Sequence, residues 1–212
     1  MIFEKKRQEM IERLKQHGIW DEKVLSAMSK VPRHRFVAPG LELQAYDEKA
    51  LPIGFGQTIS HPYTVALMTQ HLNVKKNDRI LEIGTGSGYQ AAVLCEMGAS
   101  VFSIERIKQI ATTAKKKLEN LNYHCILRVG DGTLGWQHYA PFDGIIVTAG
   151  APVVPEQLKE QLKQDARLLI PVGDKDSQQL FCYLKTEDTL EEKMIEHLKF
   201  VPLIGASGWK KI

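Results

Sequence analysis

Apolar residues along this chain recur with two different spacings, and the changes between them mark its elements. Over residues 4–17, Met10, Ile11 and Leu14 fall at helical spacing, and Gly18 ends the run. Asp21 stands where it can cap a second helix that reaches Lys30 and carries Val24, Leu25 and Met28 on one face. Val31-Pro32-Arg33 stops that helix. Residues 51–62 are glycine-rich and only weakly periodic, so they read as a connection into a helix bearing Tyr63, Val65, Ala66, Met68 and Leu72.

From Arg79 onward, short apolar runs alternate with amphipathic stretches. Strands are expected at residues 80–83, 100–104, 125–129, 142–147 and 167–171, and helices at 89–97, 107–120 and 155–162. Strands alternating with helices at this spacing form βαβ units around a mostly parallel sheet. Beyond Gly173 two more strand-like runs, 179–186 and 193–201, predict an antiparallel edge. The expected fold is a doubly wound α/β domain with an N-terminal helical extension. It is one domain over residues 1–212: helices and a loop in 1–62, the α/β core in 63–173 and the C-terminal strands in 174–212.

Composition changes this picture little. A chain of 212 residues, 43% hydrophobic and 25% charged, has enough material for a full core and is not a disordered segment. The formal net charge of +3 comes from scattered basic residues, so no nucleic-acid partner is expected, and Lys115-Lys116-Lys117 reads as a solvated helix face. No apolar run is long enough for a membrane span, and no signal-peptide core follows Met1. Cys95, Cys125 and Cys182 are odd in number and far apart, which points to a reducing cytoplasm and away from disulfides or zinc. The seven histidines show no metal-ligand spacing, and a monomer is expected.

The candidate chemistry lies at strand ends, because ligands of doubly wound folds sit beyond the carboxyl ends of the strands. Glu82 ends the first strand and is followed by the turn Gly84-Thr85-Gly86-Ser87-Gly88 and a helix start at Tyr89. Glycines let backbone approach a ligand closely, and the helix start directs free N–H groups at it. A dehydrogenase fingerprint would carry its third glycine at position 89; here it comes at Gly88. The pattern E-x-G-x-G-x-G is similar to the first motif of S-adenosylmethionine-dependent methyltransferases. Glu105 ends the second strand and can accept from two ribose hydroxyls. Asp131 ends the third and can accept from an exocyclic adenine amine. The fourth strand continues as Thr148-Ala149-Gly150-Ala151-Pro152, with no carboxamide, aromatic clamp or general base. That favours an acceptor that arrives deprotonated, such as a carboxylate, and disfavours a nucleobase.

Leu51-Pro52-Ile53-Gly54-Phe55-Gly56-Gln57-Thr58-Ile59-Ser60-His61-Pro62 closely resembles the substrate-side motif of protein-L-isoaspartate O-methyltransferases. Similar segments follow in the family's order: Ser103-Ile104-Glu105-Arg106, Gly130-Asp131-Gly132, residues 142–152 and Phe200-Val201-Pro202-Leu203. Gln164-Asp165-Ala166 departs from the family's glycine pair, which is expected to alter a turn only. The resemblance implies a class I, Rossmann-like fold and S-adenosyl-L-methionine as cofactor. It also implies methylation of the free α-carboxylate of isoaspartyl proteins and peptides, an ester that returns through succinimide to aspartate. It assigns catalysis to Ser60, aiming the substrate carboxylate, with Thr58 and Ile59 on the same wall. Cofactor binding falls to Glu82, Gly84, Thr85, Gly86, Gly88, Glu105, Arg106, Asp131, Gly132 and Thr148, with Glu82 near the ammonium, Glu105 on the ribose and Asp131 with Gly132 at the adenine. No metal is implied. A Ser60 that caps the helix beginning at Pro62 is an equally good local reading. Methylation of a small carboxylic acid and cofactor binding without transfer remain the other readings.

Overall fold

The computed structural model describes residues 2–187 and 189–210. Two helices open the chain, α1 (Ile2–Gln16) and α2 (Glu22–Lys30), and Asp21 caps the second by accepting from the Lys23 and Val24 N–H groups. A hairpin follows, β1 (Leu51–Gly54) against β2 (Gln57–Ile59), with Leu51 opposite Ile59. Its glycines do not make a loose connection. Gly54, Phe55 and Gly56 all take positive φ (93°, 54° and 69°) and close a tight turn between two short strands, where the sequence suggested only a connection.

The main body runs α3 (Pro62–Leu72), β3 (Arg79–Ile83), α4 (Tyr89–Glu96), β4 (Ser100–Glu105), α5 (Lys108–Asn120), β5 (Cys125–Val129), β6 (Phe142–Val147), α6 (Glu156–Glu160) and β7 (Leu162–Gly173). Strands β8 (Gln178–Lys185) and β9 (Leu190–Leu198) complete one seven-stranded sheet in the order β5-β4-β3-β6-β7-β8-β9. The first five of these are mutually parallel, β8 pairs antiparallel with β7, and β9 pairs antiparallel with β8. The chain leaves β3 towards β4 on one side and returns to β6 on the other, so strand order reverses between β3 and β6. A crevice is expected at that point.

The largest departures from the expected boundaries lie at β7 and β9. Strand β7 begins at Leu162, where a helix was expected to end, because α6 stops at Glu160 and Phe142 pairs with Leu162. The register then jumps to Gly144 opposite Arg167, and Asp165 takes φ +60° within the bulge. Asp165 thus adopts the left-handed conformation that a glycine would take more easily, and the turn survives the substitution. Strand β9 lies three residues earlier than expected, because the Phe200 N–H turns to the Gln178 side chain at 2.8 Å and the chain leaves the sheet.

Side-chain alternation splits the core across the sheet. Ile80 and Val101 pack with α1–α4, whereas Leu81, Ile83, Phe102 and Ile104 pack on the opposite face with Leu158 and Leu203. The same alternation sends Glu82 and Ser103, direct partners in the β3–β4 ladder, to the face of Ile80 and Val101.

Candidate active site

At the exit of β3 the backbone is fixed on both sides. The Gly84 N–H donates to Ile104 O of β4 at 2.9 Å, and the Thr148 N–H beyond β6 donates to Ile83 O at 2.9 Å. The Thr148 hydroxyl then donates to Gly84 O at 2.6 Å. Gly84 holds φ +95°, and a Cβ there would sit 2.5 Å from Thr148 Oγ1. This glycine is required by both conformation and space. Glu105, at the end of β4, accepts the Gly86 N–H at 3.0 Å and the Ile107 N–H at 2.9 Å, one on each oxygen. Each oxygen retains a lone pair, so the carboxylate ties down the turn and can still accept from two hydroxyls.

Over this floor lies a cleft. The hairpin supplies Thr58 and Ile59, and Ser60 follows them. Gly84, Thr85, Gly86, Glu105, Arg106, Gly132 and Thr148 supply the rest of the expected wall. Residues 201–204 also line the cleft, where the sequence marked Phe200-Val201-Pro202-Leu203 as a family-like segment but gave it no role. They reach it because the chain after β9 clamps Gly150, whose N–H donates to Val201 O and whose carbonyl accepts the Leu203 N–H, both at 2.8 Å.

Three expected residues stand elsewhere. Gly88 is the N-cap of α4 at φ +88°, and its Cα faces Ala114 and Leu118 of α5; it serves helix packing and does not line the cleft. Asp131 is turned towards its own loop and the C-terminal segment. Its Oδ1 accepts the Thr133 N–H at 2.8 Å and the Thr133 hydroxyl at 2.7 Å, and Oδ2 accepts the Ala206 N–H at 2.7 Å. Burial works against its ionised form, but these donors and the Arg106 charge outweigh it and hold the carboxyl below its ordinary value.

Glu82 is the third. It has no exposed surface and lies behind the glycine turn, linked to the cleft only by hydroxyls: Ser103 Oγ is 2.5 Å from Glu82 Oε2, and Thr85 Oγ1 is 2.5 Å from Ser103 Oγ. Burial, reinforced by the nearby Glu105 charge and opposed by the Ser103 hydrogen bond, raises this carboxyl to about 8.

Ser60 does not cap the following helix. His61 is the N-cap, its Nδ1 accepting the Tyr63 N–H at 3.0 Å, while Pro62 occupies the first turn. Burial, and then the Arg33 charge, keeps the His61 ring below its ordinary value, which leaves Nδ1 free to accept. The Ser60 hydroxyl makes no hydrogen bond among the described residues and is available to the cleft.

These features fit a nucleoside-bearing cofactor. The glycine cradle admits no Cβ at Gly84, Glu105 keeps two acceptor positions, and Glu82 Oε1 is buried behind the turn without a partner among the described residues. No cluster of metal ligands occurs among the described residues, nor any helix long and apolar enough to cross a membrane.

The comparisons with known proteins agree with this geometry. The family model for protein-L-isoaspartate(D-aspartate) O-methyltransferase matches residues 5–208. The protein-L-isoaspartate O-methyltransferase of Dictyoglomus thermophilum is 48% identical over 209 residues, covering 98% of this chain and 95% of its own. A solved protein-L-isoaspartate O-methyltransferase superposes with a TM-score of 0.86 at 30% identity, over 95% of this chain and 67% of that one. The same fold occurs in a putative protein-L-isoaspartate O-methyltransferase from Plasmodium falciparum in complex with S-adenosyl-L-homocysteine (TM-score 0.81, 23% identity, 93% of this chain and 98% of that one). With the fold, the cleft and nearly the whole sequence in agreement, this chain belongs to the protein-L-isoaspartate O-methyltransferase family.

Proposed function

We propose that Ser60 aims the substrate carboxylate in the cleft described above, and that the glycine turn and Glu105 hold the methyl donor opposite it. The reaction is the family's: transfer of a methyl group from S-adenosyl-L-methionine to the α-carboxylate of L-isoaspartyl residues in damaged proteins and peptides. The methyl ester then closes to succinimide, and part of that reopens as aspartate. When bound, the cofactor supplies an electrophilic sulfonium methyl. The remaining work is positioning, which accounts for much of the acceleration in such reactions.

The observation that carries this reading is the joint placement of Ser60 and Glu105 on one cleft at the strand-order reversal. Glu105 accepts from the ribose hydroxyls, with Thr85, Gly86 and Arg106 beside it. Gly132 and the Asp131 loop meet the adenine, and Gly84 and Thr148 border the methionine portion. Glu82 acts at one remove, through Ser103 and Thr85. Ser60 donates its hydroxyl to the carboxylate, and Thr58 and Ile59 shape the wall. No covalent relay through Ser60 is needed, because a carboxylate is itself the nucleophile.

Residues 1–62, 63–173 and 174–212 work as one methyltransferase domain, because each contributes part of the cleft wall. The protein acts as a cytoplasmic monomer on isoaspartyl proteins and peptides and not on nucleic acid; scattered basic residues and three unpaired cysteines support that reading. The test is transfer of labelled methyl from S-adenosylmethionine to two peptides that differ only in Asp or isoAsp at one position. The label is trapped as base-labile methanol. Transfer to the isoAsp peptide alone is expected, and transfer to neither overturns the reading.

A further inference from the structure

The N-terminal extension sends one charged side chain entirely into the core. Arg33 is 0% exposed. Its Nε donates to Ala45 O and its Nη2 to Ser60 O, both at 2.6 Å, and its guanidinium carbon lies 4.7 Å from the centroid of the Tyr89 ring. Nη1 is buried and donates to nothing among the described residues. No carboxylate forms an ion pair with Arg33 among the described residues, although nine other ion pairs are present there, largely at the surface. A buried cation without an anion is costly; burial, partly offset by the neighbouring Tyr89 and Tyr46, lowers Arg33 to about 10, so it stays charged at neutral pH. Of the three groups it contacts, Ser60 and Tyr89 line the cleft.

A mere pin between Ala45 and Ser60 would need no charge. We propose that Arg33 is a positioning residue whose counter-ion is the substrate's α-carboxylate: it fixes the Ser60 backbone and supplies, from behind the wall, the positive potential that selects a carboxylate acceptor. The inference rests on Ser60 as the residue facing that carboxylate. It places selectivity for the isoaspartyl acid in a residue that does not itself touch the substrate. The same charge does not favour the cofactor's sulfonium, which is itself cationic.

The experiment compares an isoaspartyl peptide with the same peptide carrying a neutral α-carboxamide, as competitors for methyl transfer to a third isoaspartyl peptide. The wild type is expected to favour the carboxylate strongly. Arg33→Met should raise KM for the isoaspartyl peptide by at least about tenfold and erase most of the preference. Binding of S-adenosyl-L-methionine, measured by calorimetry, should stay equal or tighten. Arg33→Lys, which keeps the charge and loses the two-point grip, should keep the preference and lose kcat. If Arg33→Met lowers only thermal stability, or weakens carboxylate and carboxamide peptides equally, the proposal fails. Should that variant not fold, Ser60→Ala decides. A remaining carboxylate preference of about tenfold supports the charge behind the wall, and none overturns it. Failure of the wild type to methylate any isoaspartyl peptide would instead overturn the functional assignment.

Discussion

Glu82 and Ser103 sit directly opposite each other in the parallel β3–β4 ladder, with Ser103 Oγ 2.5 Å from Glu82 Oε2. This single hydrogen bond does not compensate for burial. The other carboxyl oxygen has no partner among the described residues, and the group is raised from 4.5 to about 8. Between those two values the folded protein holds a proton that the unfolded chain has released. The contribution to stability is therefore complete below about pH 4.5 and is lost as pH rises through 8. Denaturant midpoints of the cofactor-free protein should fall between pH 5 and pH 8.5. Glu82→Gln keeps an acceptor for Ser103 without the charge, so it should flatten that fall and be at least as stable as the wild type at pH 8. An unaltered slope in the variant would refute this account.

Ser60 offers the cleft a hydroxyl with no competing partner among the described residues, while its carbonyl is held from behind by Arg33. Ser60→Ala leaves that backbone grip intact. It should lower kcat/KM for an isoaspartyl peptide by on the order of 10²-fold, as removal of one oriented donor does elsewhere. Affinity for the cofactor and thermal stability should hardly move. A variant within threefold of wild-type activity would remove Ser60 from the mechanism.

Gly84 and Gly88 belong to the same turn but do different work. Both hold positive φ, which costs a non-glycine residue roughly 1–3 kcal/mol. A methyl on Gly84 would also displace Thr148 from Gly84 O, whereas one on Gly88 would meet Ala114 and Leu118 at ordinary packing distances of 3.4–3.5 Å. Both alanine variants should melt at lower temperature. Only Gly84→Ala should weaken cofactor binding more than about tenfold. Equal losses of affinity would return Gly88 to the cofactor cradle.

The same division explains what could be read from the sequence. The succession of strands and helices follows from periodicity, so a mostly parallel sheet and its strand-end acids were visible, and Glu105 stands at the end of its strand as expected. Which way a strand-end acid turns depends on donors far along the chain. Asp131 looked like a cleft residue, but the Ala206 N–H, seventy-five positions away, takes one of its oxygens. Glu82 precedes the turn by two residues, yet strand alternation puts it behind the cleft wall. Arg33 read as part of a helix stop, and only the packed hairpin shows its guanidinium against Ser60. Ser60 and His61 are both able to cap a helix, and local sequence could not choose between them.

Asp131 offers the sharpest separation between holding the fold and holding the cofactor. Its carboxylate fastens Ala206, and Thr133 Oγ1 in turn accepts the Ser207 N–H at 3.1 Å, so the segment next to residues 201–204 depends on both side chains. A Cβ on Gly205 would collide with Asp131 Oδ1, so the approach is close. Asp131→Asn replaces one acceptor with a donor and must set that donor against either the Ala206 or the Thr133 N–H, at a cost of about 1–3 kcal/mol. Thr133→Val removes the Ser207 contact and one donor to Asp131 while leaving the carboxylate in place. Both variants should speed hydrogen exchange over residues 203–209 and raise KM for the peptide, because both loosen the wall that residues 201–204 form. Only Asp131→Asn should also weaken S-adenosyl-L-homocysteine, if the lone pairs left on the carboxylate meet the adenine amine. Equal affinity for that ligand in the two variants would make Asp131 a fastener of the C-terminal segment alone.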